Sequence, residues 1–183
     1  MATVLSAVAL LAVPAAAQAV TLISPTANPA IGGYQRWADG SAVPTVGGHV
    51  RLLLRSCPLS ISDGCIVYDA EPTIYLGSAV RDRSTLLHEL GHAFDAAVMS
   101  DADRLAFAAV TDDGRDWQSG PNSLKERFAE AYGLCARHAR IHKPYAAAYG
   151  YRVSPAQHRG VCRVIRIAAA HGPLGQPAAL VGS

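Results

Sequence analysis

Apolar and polar residues follow two different periods along this chain, and the change of period divides it into strands and helices. Residues 49–57 form a short apolar run that alternates poorly, and β-branched and aromatic residues cluster in residues 65–77, where Pro72 interrupts the run. Such short runs are typical of strands, and the proline divides the second run in two. Helical spacing without internal proline then predicts four helices, over residues 78–99, 101–111, 123–142 and 155–171.

Local capping signals mark the start of two of these helices. Asp82 or Ser84 can open the regular part of the first helix. Ser123 is a candidate N-cap for the third, and Glu126 follows it at the spacing of a capping box.

These elements predict an α+β domain with a small mixed sheet and a mainly helical C-terminal half. The chain has 183 residues and is 50% apolar, which fits one domain of ordinary size. We assign residues 49–171 to this domain. Residues 20–48, which are rich in Pro, Gly, Ala and Ser, are predicted to be a loop-like lead-in, and residues 172–183 a flexible tail.

The N-terminal residues resemble a secretory signal peptide. Residues 1–19 carry no charged side chain, contain an apolar stretch over residues 4–13, and end in Ala-Gln-Ala. The apolar stretch is too short to span a bilayer, so stable membrane insertion is not expected. We therefore predict a secreted protein, although the absence of Lys and Arg leaves a hydrophobic first helix of the fold as the alternative.

Charge excludes one class of partner. The formal net charge is +2 and no basic run stands out, so nucleic acid is not an expected partner. The modest excess of arginines between Arg137 and Arg166 is interpreted as solvated helix faces.

The four cysteines agree with export. Cys57 and Cys65 flank a turn-rich segment and predict a local disulfide, which leaves Cys135 and Cys162 to join two C-terminal helices. A four-cysteine zinc site is the alternative, but neither pair has the short spacing that such sites usually show.

The most informative segment is Leu-Leu-His-Glu-Leu-Gly-His-Ala-Phe-Asp, residues 86–95. On a helix, His88 and His92 share one face and can direct both imidazoles at one ion. Glu89 is offset around the helix and can accept a proton from a water that zinc activates. The alternative is a buried helix whose two histidines have other partners, with Glu89 paired to one of them.

A third ligand is needed, and it must come from a later helix. Position 98 is Val98, which excludes the metzincin extension of the motif. Glu126 and Glu130 are again four residues apart, so one can bind zinc while the other accepts the outer ring N–H of a ligating histidine. Their alternative roles are a capping box and a surface carboxylate.

Both motifs together resemble the gluzincin metallopeptidases, in particular the branch of anthrax lethal factor and the secreted Pro-Pro endopeptidases. The likeness covers His-Glu-Leu-Gly-His at residues 88–92 and Glu-Arg-Phe-Ala-Glu-Ala-Tyr at residues 126–132. It implies a zincin-like fold, with an edge strand beside the active-site helix, and a secreted, monomeric metalloendopeptidase acting on peptides or proteins. It further implies one Zn²⁺ per chain bound by His88, His92 and Glu126, with Glu89 as general base and Glu130 supporting a ligating histidine.

The chain departs from this branch at the residue that stabilises the oxyanion. Those peptidases have a tyrosine seven residues before the ligating glutamate, where this chain has Ser119. Trp117 is nearby, but an indole has the wrong acidity. Other candidates, among which the sequence does not choose, are Tyr132, Arg137, His138, Tyr145, Tyr149 and Tyr151.

Three further expectations concern the surroundings of the motif. Residues 72–77 are expected to supply the edge strand along which a peptide substrate lies. Asp95, one turn after His92, either orients a ligand or is solvated. An exported zinc-stabilised or binding domain without catalytic activity is the alternative function.

Overall fold

The computed structural model describes residues 19–59, 64–118, 120 and 122–172, and this part of the chain contains five α-helices, six short strands and two short 3-10 helices. The mixed α+β class is therefore confirmed. In chain order the elements are β1 (Val20–Ile23), α1 (Ile31–Asp39), β2 (Gly48–Leu53), β3 (Gly64–Tyr68), β4 (Pro72–Leu76), α2 (Arg83–Val98), α3 (Asp101–Thr111), α4 (Leu124–Arg137), β5 (Tyr145–Ala146), β6 (Arg152–Val153) and α5 (Pro155–His171).

Four strands form one mixed sheet in the order β1-β2-β4-β3. The pairs β1–β2 and β2–β4 are parallel, whereas β3 runs antiparallel to β4. The prediction that residues 72–77 form the edge strand is wrong, because β4 lies between β2 and β3, and the two edge strands are β1 and β3. Ile74 and Leu76 are fully buried, as expected of an interior strand, while most of β3 is only partly buried.

The segment 20–48 is part of the fold rather than a loop-like lead-in. It contains β1, which extends the sheet, and α1, whose Tyr34 and Ala38 are buried one turn apart. The Gln35 side chain joins the two elements, since its amide accepts from the Leu22 N–H and donates to the Val20 carbonyl. The frequent Pro and Gly residues of this segment favour a loop prediction and concealed these short elements.

The predicted caps are present, with one difference. Asp82 accepts a hydrogen bond from the Thr85 N–H and starts α2, and Ser123 accepts one from the Glu126 N–H and starts α4. The Glu126 carboxylate turns towards the histidines of α2 instead of completing the capping box. Helix α4 ends at Arg137, before the predicted end at residue 142, whereas α5 spans Pro155–His171 as predicted.

Helices α2 and α4 pack closely at Gly91, the glycine within the histidine motif. A Cβ atom at this position would lie 2.9 Å from the Ala129 Cα atom and 3.0 Å from the Tyr132 Cβ atom. Only a glycine allows α4 to approach this near, since real Cβ atoms essentially never come within 3.0 Å. The close approach brings the glutamates of α4 within reach of the histidines of α2.

Two disulfides fasten the described residues, with the pairing that the sequence predicts. Cys57 is joined to Cys65, and Cys135 on α4 is joined to Cys162 on α5. The predicted signal peptide lies outside the described residues apart from Ala19, as does the predicted tail apart from Gly172. Among the described helices, none has the length and apolarity needed to cross a membrane.

Candidate metal centre

Three predicted ligands converge where α2 faces the first turn of α4. The Glu126 Oε2 atom lies 3.3 Å from His88 Nε2 and 3.3 Å from His92 Nε2. Both histidines are buried, and Glu126 is partly buried. The two imidazoles come from one helix face and the carboxylate comes from the N-terminus of α4, where the helix dipole favours a negative charge.

Two of the three separations between these atoms are compatible with a tetrahedral metal site. Ligands that bind tetrahedral zinc at about 2.0–2.1 Å lie about 3.3 Å from one another, because that is the edge of the tetrahedron. The two nitrogen–oxygen separations of 3.3 Å match this edge. Two imidazoles and one carboxylate are also the ligand set of catalytic zinc sites that keep a fourth position open.

Glu130 stands one helical turn after Glu126 and contacts the other side of the first histidine. Its Oε2 atom lies 3.4 Å from His88 Nδ1. A carboxylate here accepts the Nδ1 proton, and it would leave the Nε2 lone pair to a metal ion when one is bound. Burial alone lowers the pKa of His88, but the hydrogen bonds to Glu126 and Glu130 outweigh it and raise the pKa to about 9.

The same ion pairs act in the opposite direction on Glu126. Burial raises the pKa of this carboxyl, but the hydrogen bonds to His88 and His92 outweigh it and hold the pKa well below its ordinary value. His92 differs from His88 at its outer nitrogen, since Nδ1 is buried without a hydrogen-bond partner among the described residues.

Glu89 lies beside the three ligands and faces a cavity of about 360 Å³. Burial is the main cause that raises the pKa of its carboxyl. The edge strand β3 starts directly above it, because a Cβ atom at Gly64 would lie 3.5 Å from Glu89 Oε1. A second cavity of about 310 Å³ adjoins the first and shares Gly64, His88, Glu89 and Tyr149 with it.

Two tyrosines and a lysine complete the walls. Tyr149 stacks on His88, with ring centroids 5.2 Å apart. Tyr68, at the end of β3, lies on the wall of the larger cavity, and the Lys125 ammonium is 5.8 Å from its ring centroid. The sequence listed Tyr149 only among several candidates and did not indicate Tyr68 or Lys125. The one sequence feature that could have indicated Lys125 is its position directly before Glu126.

The remaining predicted residues lie elsewhere. Asp95 neither orients His92 nor is solvated: it is buried and accepts hydrogen bonds from Arg104 Nε at 2.9 Å and Trp117 Nε1 at 3.3 Å. Trp117 packs against Phe107 and Phe128. Ser119 lies outside the described residues.

A second group of metal-binding residue types exists among the described residues. Cys135, His158 and Cys162 have potential ligand atoms within 4.8 Å of one another, as do His88, His92 and Glu126. The two cysteines of this second group form the α4–α5 disulfide. His158 Nε2 lies 2.8 Å from the His138 carbonyl and donates to it, while Nδ1 and Nε2 lie 3.8 Å and 3.6 Å from the Cys162 sulfur.

Comparison with known proteins gives no family. No protein-family model, curated protein or solved structure matches this chain. Function must therefore be inferred from the site itself.

Proposed function

We propose that this protein is a secreted, zinc-dependent endopeptidase with a zincin-like fold. The observation that carries the proposal is the convergence of His88, His92 and Glu126 beside Glu89 at the floor of an open cavity. Structural zinc sites are closed by four protein ligands, whereas catalytic sites have three and an open position. The described residues supply three ligands here, and the cavity leaves room for water and substrate.

The roles of the chain's own residues follow from their contacts. His88, His92 and Glu126 would hold the ion, and Glu130 would fix the tautomer of His88. When bound, zinc would lower the pKa of a water molecule and polarise the substrate carbonyl. Glu89 accepts a proton from the attacking water as its oxygen adds to the carbonyl carbon. The carbon–nitrogen bond then breaks, and Glu89 delivers the proton to the departing amine.

The substrate in this proposal is an extended peptide that lies along the outer edge of the sheet, at β3. Main-chain hydrogen bonds to an edge strand give affinity without fixing a side-chain sequence. Gly64, Cys65 and Ile66 of β3 line the larger cavity next to Glu89. A peptide that pairs with this edge passes directly over the carboxylate.

Export is the part of the proposal that rests on the cysteines and the N-terminal pattern. Two disulfides are compatible with an oxidising compartment. Residues 1–19 have the apolar stretch and small-residue end of a cleaved signal.

The test is the Glu89→Gln substitution in purified, zinc-loaded protein. Glutamine keeps the shape of the side chain but cannot accept the proton, so hydrolysis of an unbiased peptide library should fall about 10²–10⁴-fold. Zinc content should stay at one ion per chain, because Glu89 is not among the three converging ligands. Glu71→Gln is the matched control, since Glu71 pairs with Arg51 on the sheet.

Two results would reject the proposal. One is wild-type, zinc-loaded protein that cleaves no peptide of the library. The other is a Glu89→Gln variant that cleaves as fast as the Glu71→Gln control. Zinc binding without any hydrolysis would instead support the non-catalytic zinc domain.

A further inference from the structure

Tyr149 occupies a backbone conformation that demands an explanation. Its φ of 56° and ψ of 19° place it in the left-handed region, which bulky residues rarely adopt. Gly150 follows with φ of 66°. Strained residues of this kind persist only where their surroundings hold them, and they concentrate at active sites.

The surroundings that hold Tyr149 belong to the metal centre. Arg127, the residue after the ligand Glu126, donates from Nε to the Tyr149 carbonyl at 3.2 Å. The Arg127 Nη1 atom is bound in turn by the buried side chain of Asp113. The same stretch of α4 therefore fixes both a metal ligand and the main chain of this tyrosine.

The side chain of Tyr149 is directed at the reacting centre. Its ring stacks on His88 at an interplanar angle of 27°, and it lines both cavities together with Glu89. The described residues offer no hydrogen-bond partner to the Tyr149 hydroxyl. Tyr149 is thus a phenol held next to the proposed ligand His88. Its O–H group can donate a hydrogen bond to a molecule in the cavity.

We propose that the Tyr149 hydroxyl donates the hydrogen bond that stabilises the substrate oxyanion. The inference rests on the proposed peptidase function. When water adds to the carbonyl carbon, negative charge collects on the carbonyl oxygen, and a preorganised donor stabilises that charge. The proton stays on the tyrosine throughout, so the hydroxyl supplies a hydrogen bond only.

Tyr68 is the competing donor, and its setting is different. It stands at the rim of the same cavity on β3, is 44% exposed, and has an ordinary strand conformation. Lys125 covers its ring. A partly exposed rim side chain is less preorganised than a phenol fixed by a stacked ring and an anchored main chain.

The test compares Tyr149→Phe with Tyr68→Phe in the zinc-loaded protein. Loss of one oxyanion donor typically lowers kcat about 10²–10³-fold. We expect this loss in Tyr149→Phe with KM and zinc content nearly unchanged, and little loss in Tyr68→Phe. Affinity for a phosphinic peptide, which mimics the tetrahedral anion, should fall in parallel when measured by calorimetry.

A second variant tests whether the anchored backbone matters. Gly150→Ala keeps the hydroxyl, but its Cβ atom would lie 2.9 Å from Arg127 Nη2 at a φ that alanine disfavours. It should lower kcat by displacing Tyr149. Added to Tyr149→Phe it should cost little more, because both changes remove one interaction.

The outcomes separate this inference from the proposed function. A wild type that cleaves peptides while Tyr149→Phe retains kcat and phosphinic-peptide affinity overturns the inference and leaves the peptidase intact. A large loss in Tyr68→Phe alone assigns the donor to the other wall and also overturns it. A wild type that cleaves nothing overturns both.

Discussion

Helix α4 contributes to two groups of metal-binding residue types, and these groups differ in what surrounds them. Its first turn supplies Glu126 to the group with His88 and His92, and its last turns supply Cys135 to the group with His158 and Cys162. In both groups the potential ligand atoms lie within 4.8 Å of one another. The distances between potential ligand atoms therefore do not distinguish the two groups.

The difference lies in free lone pairs and access. Cys135, His158 and Cys162 are 0%, 0% and 1% exposed, and the two sulfurs are already joined to each other. A metal needs thiolates, which a disulfide does not offer. The other group opens on a cavity of about 360 Å³ and carries a buried carboxylate, Glu89, beside it. A reactive centre is recognised by its cavity and its available donors.

The largest effect that we expect is a loss of zinc affinity when the glutamates of the first group are replaced, and it tests the comparison directly. Glu126→Ala removes a proposed ligand and should weaken zinc binding more than Glu130→Ala, which removes only the proposed support of His88. Loss of such support typically costs about 10–100-fold in affinity. Competition with a chromogenic chelator measures both variants. The reverse order would mean that the two glutamates have exchanged roles.

The same titration on the wild type checks the second group. Oxidised protein should take up one zinc per chain, because the disulfide withholds Cys135 and Cys162. Two tightly bound ions in protein with both disulfides intact would contradict the comparison.

Apart from the Cys135–Cys162 disulfide, whose pairing followed once the local pair was assigned, the features that the sequence predicts correctly are local. The pairs His88/His92 and Glu126/Glu130 depend only on helical periodicity, which places residues four apart on one face. Asp82 and Ser123 act as caps within one turn of their own helices. The convergence of two such faces was an expectation from the motif resemblance, and the structure brings the residues together.

The features that the sequence does not predict depend on long-range pairing. The position of β3 at an edge of the sheet follows from which strands pair. The periodicity of apolar residues within one strand does not indicate which strands are its neighbours. Tyr149 contacts His88 from a turn in which its own φ is positive. Such a turn has neither the helical nor the strand periodicity of apolar residues. The Asp95 interactions with Arg104 and Trp117 likewise join separate segments.

An intermediate effect concerns the stability that the α4–α5 disulfide contributes. Replacing Cys135 and Cys162 with alanine should lower the free energy of unfolding by about 2–4 kcal/mol, since the bond restricts the unfolded chain. Urea denaturation measures the change. Zinc affinity should stay the same, because the ligands of the first group remain in place.

The local disulfide provides the control for this experiment. Cys57 and Cys65 are separated by 8 residues and Cys135 and Cys162 by 27, so removing the first pair should cost less. Loss of zinc in the Cys135→Ala/Cys162→Ala variant would mean that the two groups are coupled rather than independent.

The smallest expected effect concerns the acid side of the stability profile and the buried histidine of the second group. Burial lowers the pKa of His158 below its ordinary value of 6.5, despite the hydrogen bond to the His138 carbonyl. His158 therefore binds a proton more weakly in the folded state than in the unfolded state. Below about pH 6.5 this difference reduces stability as pH falls, by at most about 1.4 kcal/mol per pH unit.

His158→Gln isolates this contribution, because glutamine retains an N–H donor but does not titrate. The difference in free energy of unfolding between wild type and variant should be constant above pH 7 and change below about pH 6.5 in favour of the variant. His88, whose pKa is raised, is present in both proteins and cancels in the difference. A difference that stays constant down to pH 5 would show that His158 takes up its proton equally in the folded and unfolded states.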